Sequence, residues 1–435
     1  MTVAHGIGGR SDLPVPLWLA LYAGVAAVLV ALFVVSALRP RPRSTSPGMP
    51  LPIALMTVTD ARSTRALLRA VGLVAFGALL ATAWFGANDS SRNPAPAWFY
   101  VWFWVGLIPV SLIFGPIWRV VNPLRSLAAL ARRCVPRRMR RDLRSDDAGH
   151  AFAVAGMVVF LWLELAFPHS DSPRAVATFA TVYAVTHTVG GALFGPRWFA
   201  RADTFEMYSG LLASLSPLGR SADGRLVLRG PLAGSRDGRA SRGHTVLALV
   251  VLGGTMFDGI SRLSSWTDVI RVIGRPPSAV LASVVLGGVL VLNLLAYRDA
   301  IRMTRPYLRP EVSAVDNEFT RSLVPIMVGY SVAHYFSFAF FEGQRGWLLA
   351  TDPFGMGWDL LGVGEAAVDY RMLTPALIAV VQVGAIVLGH VAAVVSAHDR
   401  VLRVVRAGES RAGHYPMLML MLVYTGLGIA LVSTG

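Results

Sequence analysis

Ten stretches of about twenty mostly apolar residues recur along this 435-residue chain, near 16–37, 66–87, 97–118, 150–168, 175–196, 243–262, 279–298, 321–341, 373–397 and 415–434. A helix needs about 20 such residues to cross the hydrocarbon core of a bilayer. Lipid offers no partner for backbone N–H and C=O groups, so each run has to be helical. The pattern predicts an all-α integral membrane protein, a polytopic bundle of about ten transmembrane helices, with 1–435 forming a single transmembrane domain. The composition agrees: 15% of residues are charged, against about 25% in soluble domains.

The formal net charge of +15 raises the question of a nucleic-acid partner, but the distribution of charge points elsewhere. All 40 basic residues are arginine. With Arg69 and Arg321 counted in the adjoining loops, 32 arginines fall in or beside 38–65, 119–149, 197–242, 298–320 and 398–414, and 8 fall on the alternate side. This is the asymmetry that orients helices with basic loops in the cytoplasm, and it predicts an N-out/C-out topology. The expected partner of the basic face is anionic lipid, with no nucleic acid. The single cysteine, Cys134, lies in a strongly basic stretch, which excludes an intramolecular disulfide and a thiolate metal cluster. The first apolar run is long and lacks a small-residue cleavage site, so no cleaved signal peptide is expected.

Two loops stand out. The segment 197–242 reads as a Gly/Ser/Arg-rich cytoplasmic loop, with 202–218 forming a surface helix that carries Asp203, Glu206 and Tyr208. The outer loop 342–372 contains Trp347, Asp352, Trp358, Asp359, Glu365 and Asp369 among six glycines. Long loops with their own aromatic and acidic content act as lids or binding loops, or cap the bundle.

Several ionisable side chains lie inside the apolar runs. His187, His334 and His390 sit within them, His398 ends one, and Glu164 and Asp258 lie toward the outer ends of two others. Ionisable groups in a bilayer are costly, and they mark functional sites or pair with one another. Tyr183 and Tyr330 each precede a histidine by four residues, His187 and His334 respectively. On a helix that spacing places them on one face, beside the histidine or a ligand bound to it. His398 at the cytoplasmic end equally fits a solvated position, and Asp258 equally fits an ion pair with Arg262.

Imidazole and carboxylate donors without thiolate suit a transition metal: iron or copper first, zinc as an alternative. The metal set is then Glu164, His187, Asp258, His334, His390 and His398, with Tyr183 and Tyr330 beside it. His-Glu-x-x-His, Gly-x-Ser-x-Gly and a Walker loop are all missing, which argues against a zinc peptidase of the usual kind, an α/β-hydrolase and a P-loop enzyme. Haem is the weaker cofactor choice, since His187 with His390 is the one pair at matching depth. The preferred reading is a metalloenzyme that oxidises or oxygenates a small, lipid-accessible substrate, fed by an electron-donor or accessory protein on the cytoplasmic face. Metal-dependent hydrolysis and proton- or metal-coupled transport are the alternatives.

Four stretches carry a family likeness: Leu323 to Tyr335, Asp352 to Asp359, Gly389-His390 through His398-Asp399, and the run from Ala202 to Leu211. They resemble multi-pass actinobacterial membrane proteins labelled fenitrothion hydrolase, over about Trp98 to the C-terminus. The resemblance implies a bacterial inner (cytoplasmic) membrane location and hydrolysis of organophosphate-like esters. It assigns no catalytic residue.

Overall fold

A computed structural model describes residues 17–38, 48–143, 146–230, 232–234, 240–274, 276–312, 317–406 and 408–434. Arg144 and parts of the 38–65 and 197–242 loops therefore lie outside the described residues. Among the described residues ten helices are long and apolar enough to cross a membrane, and the chain is a multi-pass membrane protein. They are α1 (Leu17–Leu38), α2 (Arg62–Phe85), α3 (Ala95–Phe114), α5 (Asp146–Leu165), α6 (Pro173–Phe194), α9 (Arg242–Ser261), α10 (Pro277–Thr304), α11 (Thr320–Leu349), α12 (Pro375–Val404) and α13 (Ser410–Thr434). Three shorter helices matter to the interior: α4 (Pro123–Cys134), α7 (Arg197–Ala202) and α8 (Thr204–Leu212).

The basic loops gather at one end. Strands β1 (Met49–Pro50), β2 (Leu218–Arg220) and β3 (Leu226–Leu228) form a small antiparallel sheet, ordered β1-β3-β2, which ties the loop before α2 to the segment after α8. Arg309 Nε donates to the Val405 carbonyl (3.0 Å), and Arg321 Nη1 donates to the Gly234 carbonyl (2.8 Å). At the opposite end Ser90 Oγ donates to Asp171 (3.2 Å) and Tyr100 donates to the Ser170 carbonyl (2.9 Å). Helices therefore alternate in direction as the arginine pattern predicts. α9 is the most deeply buried span, packed on α5, α10 and α11, whereas α1 folds back onto α12 and α13.

Two departures from the sequence reading shape the interior. First, 98–105 within α3 is π-helical rather than α-helical. Pro109 lies one turn on, where it has no N–H to give to the Val105 carbonyl and its ring crowds that group. Wider turns just before it accommodate this. Second, 202–218 is not a surface helix. The chain turns back at Gly195 (φ +77°) and α8 enters the bundle among α3, α5, α9 and α11, with every residue buried except Gly210. α11 also continues to Leu349, so the loop expected from 342 begins about two turns later.

α11 and α12 are the closest-packed pair, meeting at Gly329 and Gly389. A Cβ on Gly389 would stand 2.7 Å from the Pro325 carbonyl oxygen and 3.1 Å from the Gly329 Cα. Because the obstacle is backbone, no rotamer change relieves it. Gly389→Ala is expected to lower stability by about 1–3 kcal/mol in equilibrium unfolding from mixed micelles. Gly384→Ala, on the same helix with open space around it, should be neutral or slightly stabilising. Equal losses from both would contradict close packing at Gly389.

Candidate functional site

The six proposed metal ligands do not converge. Among the described residues no three His, Cys, Asp or Glu side chains are grouped so as to hold a metal ion. Three of the six share one neighbourhood, and the other three have separate surroundings.

That neighbourhood lies where α5, α9 and α11 meet, toward the end opposite the basic loops. The Asp258 carboxylate meets Nε2 of His334, and Arg262 Nη2 lies 3.1 Å from the same nitrogen. One turn separates Asp258 from Arg262, whose Nε is 3.8 Å from Asp258 Oδ1. Ser261 Oγ also donates to Asp258 Oδ1 (3.3 Å). On the other side Tyr335 donates to Glu164 Oε1 (2.9 Å), and its ring packs edge-on against His334 (centroids 4.6 Å). Glu164, Asp258, His334 and Tyr335 are all buried. The guanidinium already supplies positive charge on the side of His334 that a metal ion would have to take.

The rim of the cluster is polar and incompletely bonded. Glu164 Oε2 is buried without a hydrogen-bond partner, while the Trp104 indole lies beside the Tyr335 hydroxyl and the Tyr208 hydroxyl beside Ser331. Buried polar atoms are nearly always paired, so an orphaned carboxylate oxygen among polar neighbours is a marker of a bound species or of chemistry. Trp104 comes from the π-helical stretch of α3 and Tyr208 from the inserted helix α8, and the two rings stack with centroids 4.8 Å apart. Both sequence-unforeseen features thus deliver a side chain to the same place. Phe160 and Phe205 pack around Trp104 and seal this side with hydrocarbon. At the same end a cleft of about 840 Å³ opens between α5 and α6, and Leu163, next to Glu164, is in its wall.

The other candidates are accounted for differently. His187 accepts a hydrogen bond at Nδ1 from the Trp198 indole (3.1 Å) and stacks on Tyr183 (centroids 4.1 Å), as the four-residue spacing predicts. The Tyr183 hydroxyl serves α8: it donates to Asp203 Oδ1 (3.1 Å) and accepts from the Thr204 N–H (3.1 Å). Tyr330 departs from the predicted pairing with His334. Its hydroxyl donates to the Tyr424 carbonyl on α13, and its ring faces His390 (5.7 Å). The aromatic partner of His334 is its chain neighbour Tyr335. His390 Nδ1 donates to the Ile386 carbonyl one turn back (2.8 Å). His398 stacks on His414 near the basic end, Nδ1 to Nε2 2.9 Å. His187 and His390 sit on α6 and α12, and their rings meet different aromatic neighbours, Tyr183 and Trp198 for the first and Tyr330 for the second.

Asp203 and Glu206 hold α8 in place. Asp203 caps the helix by accepting from the Glu206 N–H (2.8 Å) and also accepts from Asn122 Nδ2 (2.9 Å). Arg125 donates twice to Glu206, Nε to Oε2 at 2.8 Å and Nη2 to Oε1 at 2.6 Å.

The loop after α11 is organised by its own aspartates. Asp359 Oδ1 accepts from the Thr351 hydroxyl (2.7 Å) and from the N–H groups of Val363 (2.9 Å) and Gly364 (3.0 Å). Asp352 accepts from Met356 and Gly357 N–H. The Thr351 hydroxyl, followed by the Gly364 and Val363 amides, holds the Asp359 carboxyl below the usual aspartate range. A lowered carboxyl favours the folded loop at neutral pH, and that contribution fades as acid titrates it. Fluorescence of Trp358 is expected to report loop loosening below about pH 3.9, the ordinary aspartate value. In Asp359→Ala the loop should already be loose at pH 7. An unchanged acid transition in the variant would assign the step to other groups.

No family model, no curated protein and no solved structure matches this chain.

Proposed function

We propose that this chain is an integral-membrane enzyme whose reacting centre is the Glu164/Tyr335 and Asp258/His334/Arg262 cluster, and that it hydrolyses a small apolar ester by acid–base chemistry. The observation that carries this is the unlike setting of two nearby buried carboxylates. Asp258 faces an imidazole and a guanidinium, whereas Glu164 faces a neutral phenol and leaves Oε2 unpartnered. Two carboxylates in contrasting surroundings are the arrangement by which one site supplies both an acid and a base. In this reading the Asp258–His334 pair accepts a proton from water, and Arg262 stabilises the anion that forms on the ester oxygen. Glu164, held at Oε1 by the Tyr335 hydroxyl, gives a proton from Oε2 to the leaving group. The substrate enters through the cleft between α5 and α6. With the basic end in the cytoplasm, the cluster occupies the outer half of a bacterial inner membrane, as the likeness to fenitrothion hydrolase-labelled proteins implies.

The unpartnered Glu164 oxygen favours one second reading. A cation drawn to Glu164 Oε2 would supply Lewis-acid or redox chemistry, and oxygenation would then draw electrons from a donor docked on the basic face. One experiment separates the two. Detergent-purified protein is given an apolar aryl phosphotriester with and without oxygen and a reductant, and its metal content is measured in parallel. Phenol release without oxygen, lost in Glu164→Gln, is the expected result. No release, or turnover that requires oxygen and stoichiometric iron or copper, would overturn the acid–base reading.

A further inference from the structure

A second polar site lies at the basic end, away from the cluster above. A cleft of about 1030 Å³ opens where α4 crosses the ends of α2 and α6. Its wall carries eight arginines against one acid, Asp60. Five of the eight are already engaged. Arg65 and Arg220 both donate to Asp60 (2.7 Å each), and Arg125 is held by Glu206. Arg132 donates to the Ala192 and Leu193 carbonyls, and Arg140 donates to the Val135 and Arg132 carbonyls. These pairings fix the walls. The remaining three, Arg69, Arg119 and Arg133, are exposed and make no hydrogen bond or ion pair to any described residue.

The geometry points to a bound phosphodiester, and we infer that this cleft is a headgroup site for an anionic phospholipid, held by Arg69, Arg119 and Arg133. Guanidinium groups grip phosphate oxygens in pairs, and three of them around one cleft compensate the charge. Two features favour a lipid over a soluble phosphoester. Arg69 lies near the start of a spanning helix at its basic end, so the cleft sits where that helix passes the headgroup level of a bilayer. Leu67 and Val71 on another face of the same helix and Leu130 on α4 are exposed apolar side chains, so acyl chains would pack around this end of the helices.

The test is native mass spectrometry of the detergent-purified full chain with phosphatidylglycerol, phosphatidylcholine or inorganic pyrophosphate added. Wild type is expected to retain phosphatidylglycerol about tenfold over phosphatidylcholine, and the triple variant Arg69→Gln/Arg119→Gln/Arg133→Gln should lose that preference. Arg271→Gln/Arg302→Gln alters two exposed arginines paired with neighbouring aspartates elsewhere and should keep it. Should the triple variant fail to fold, Arg133→Gln alone, on an exposed position of α4, must still weaken retention. Equal retention of the two lipids by wild type, or an undiminished preference in the variants, would overturn the inference. Pyrophosphate bound through these arginines without any lipid preference would overturn it in favour of a soluble phosphoester.

Discussion

Asp258→Ala is expected to destabilise the protein by about 3–5 kcal/mol, because it strips the counter-charge from two buried partners at once. His334 would keep the guanidinium beside it but lose its carboxylate, and Arg262, about three-quarters buried, would face the imidazole without that carboxylate. Asp258→Asn keeps the shape and a hydrogen-bonding oxygen, so it should lose markedly less stability while still losing activity. Equilibrium unfolding in mixed micelles measures both. A loss below about 1 kcal/mol for the alanine variant would place the pair in water-like surroundings, contrary to its burial.

Glu206→Ala is the second large effect. The bidentate pair with Arg125 is mostly buried, so removing the carboxylate leaves a guanidinium without its partner and frees the start of α8. About 3–5 kcal/mol is expected. The double variant Arg125→Ala/Glu206→Ala should recover part of this loss, since no unpaired charge remains. The consequence reaches further than stability. α8 carries Tyr208 to the Glu164 side of the bundle, so proton-transfer chemistry there should fall even where Glu206→Ala is kept folded by low temperature.

The spans were legible because the bilayer admits few solutions: length and hydropathy locate the helices. The interior was less so. Glu164, Asp258 and His334 could be recognised as expensive residues, and the structure brings these three together. His187 could not be separated from them by sequence, because its hydrogen-bond partner, Trp198, lies on a different helix after a chain reversal. The four-residue Tyr–His spacing held on α6, where the two rings pack against each other. It failed on α11, where Tyr330 turns toward α13 and the phenol of the cluster is Tyr335.

α8 was the largest omission. Its polar residues, Asp203, Glu206 and Tyr208, read as a solvated face, yet each is buried against a partner from another element. Hydropathy cannot find such a segment, because pairing rather than apolarity places it inside. A sequence signal did exist in Asp203-x-x-Glu206, the spacing of a helix-capping pair. It marks where the helix begins but not what covers it. The π-helical turns of α3 had a comparable hint in Gly106 and Pro109, which disturb regular α-helical bonding without revealing which side chain is displaced inward.

The central claim is that acid–base work belongs to the α5/α9/α11 cluster and not to the other buried histidines. Turnover of an apolar aryl phosphotriester by His334→Gln, set beside His187→Gln, His390→Gln and His398→Gln in folded, detergent-purified protein, tests it most directly. The expected result is a loss of about 100-fold or more in His334→Gln, with the other three close to wild type. Equal losses in all four, or full activity in His334→Gln, would contradict it.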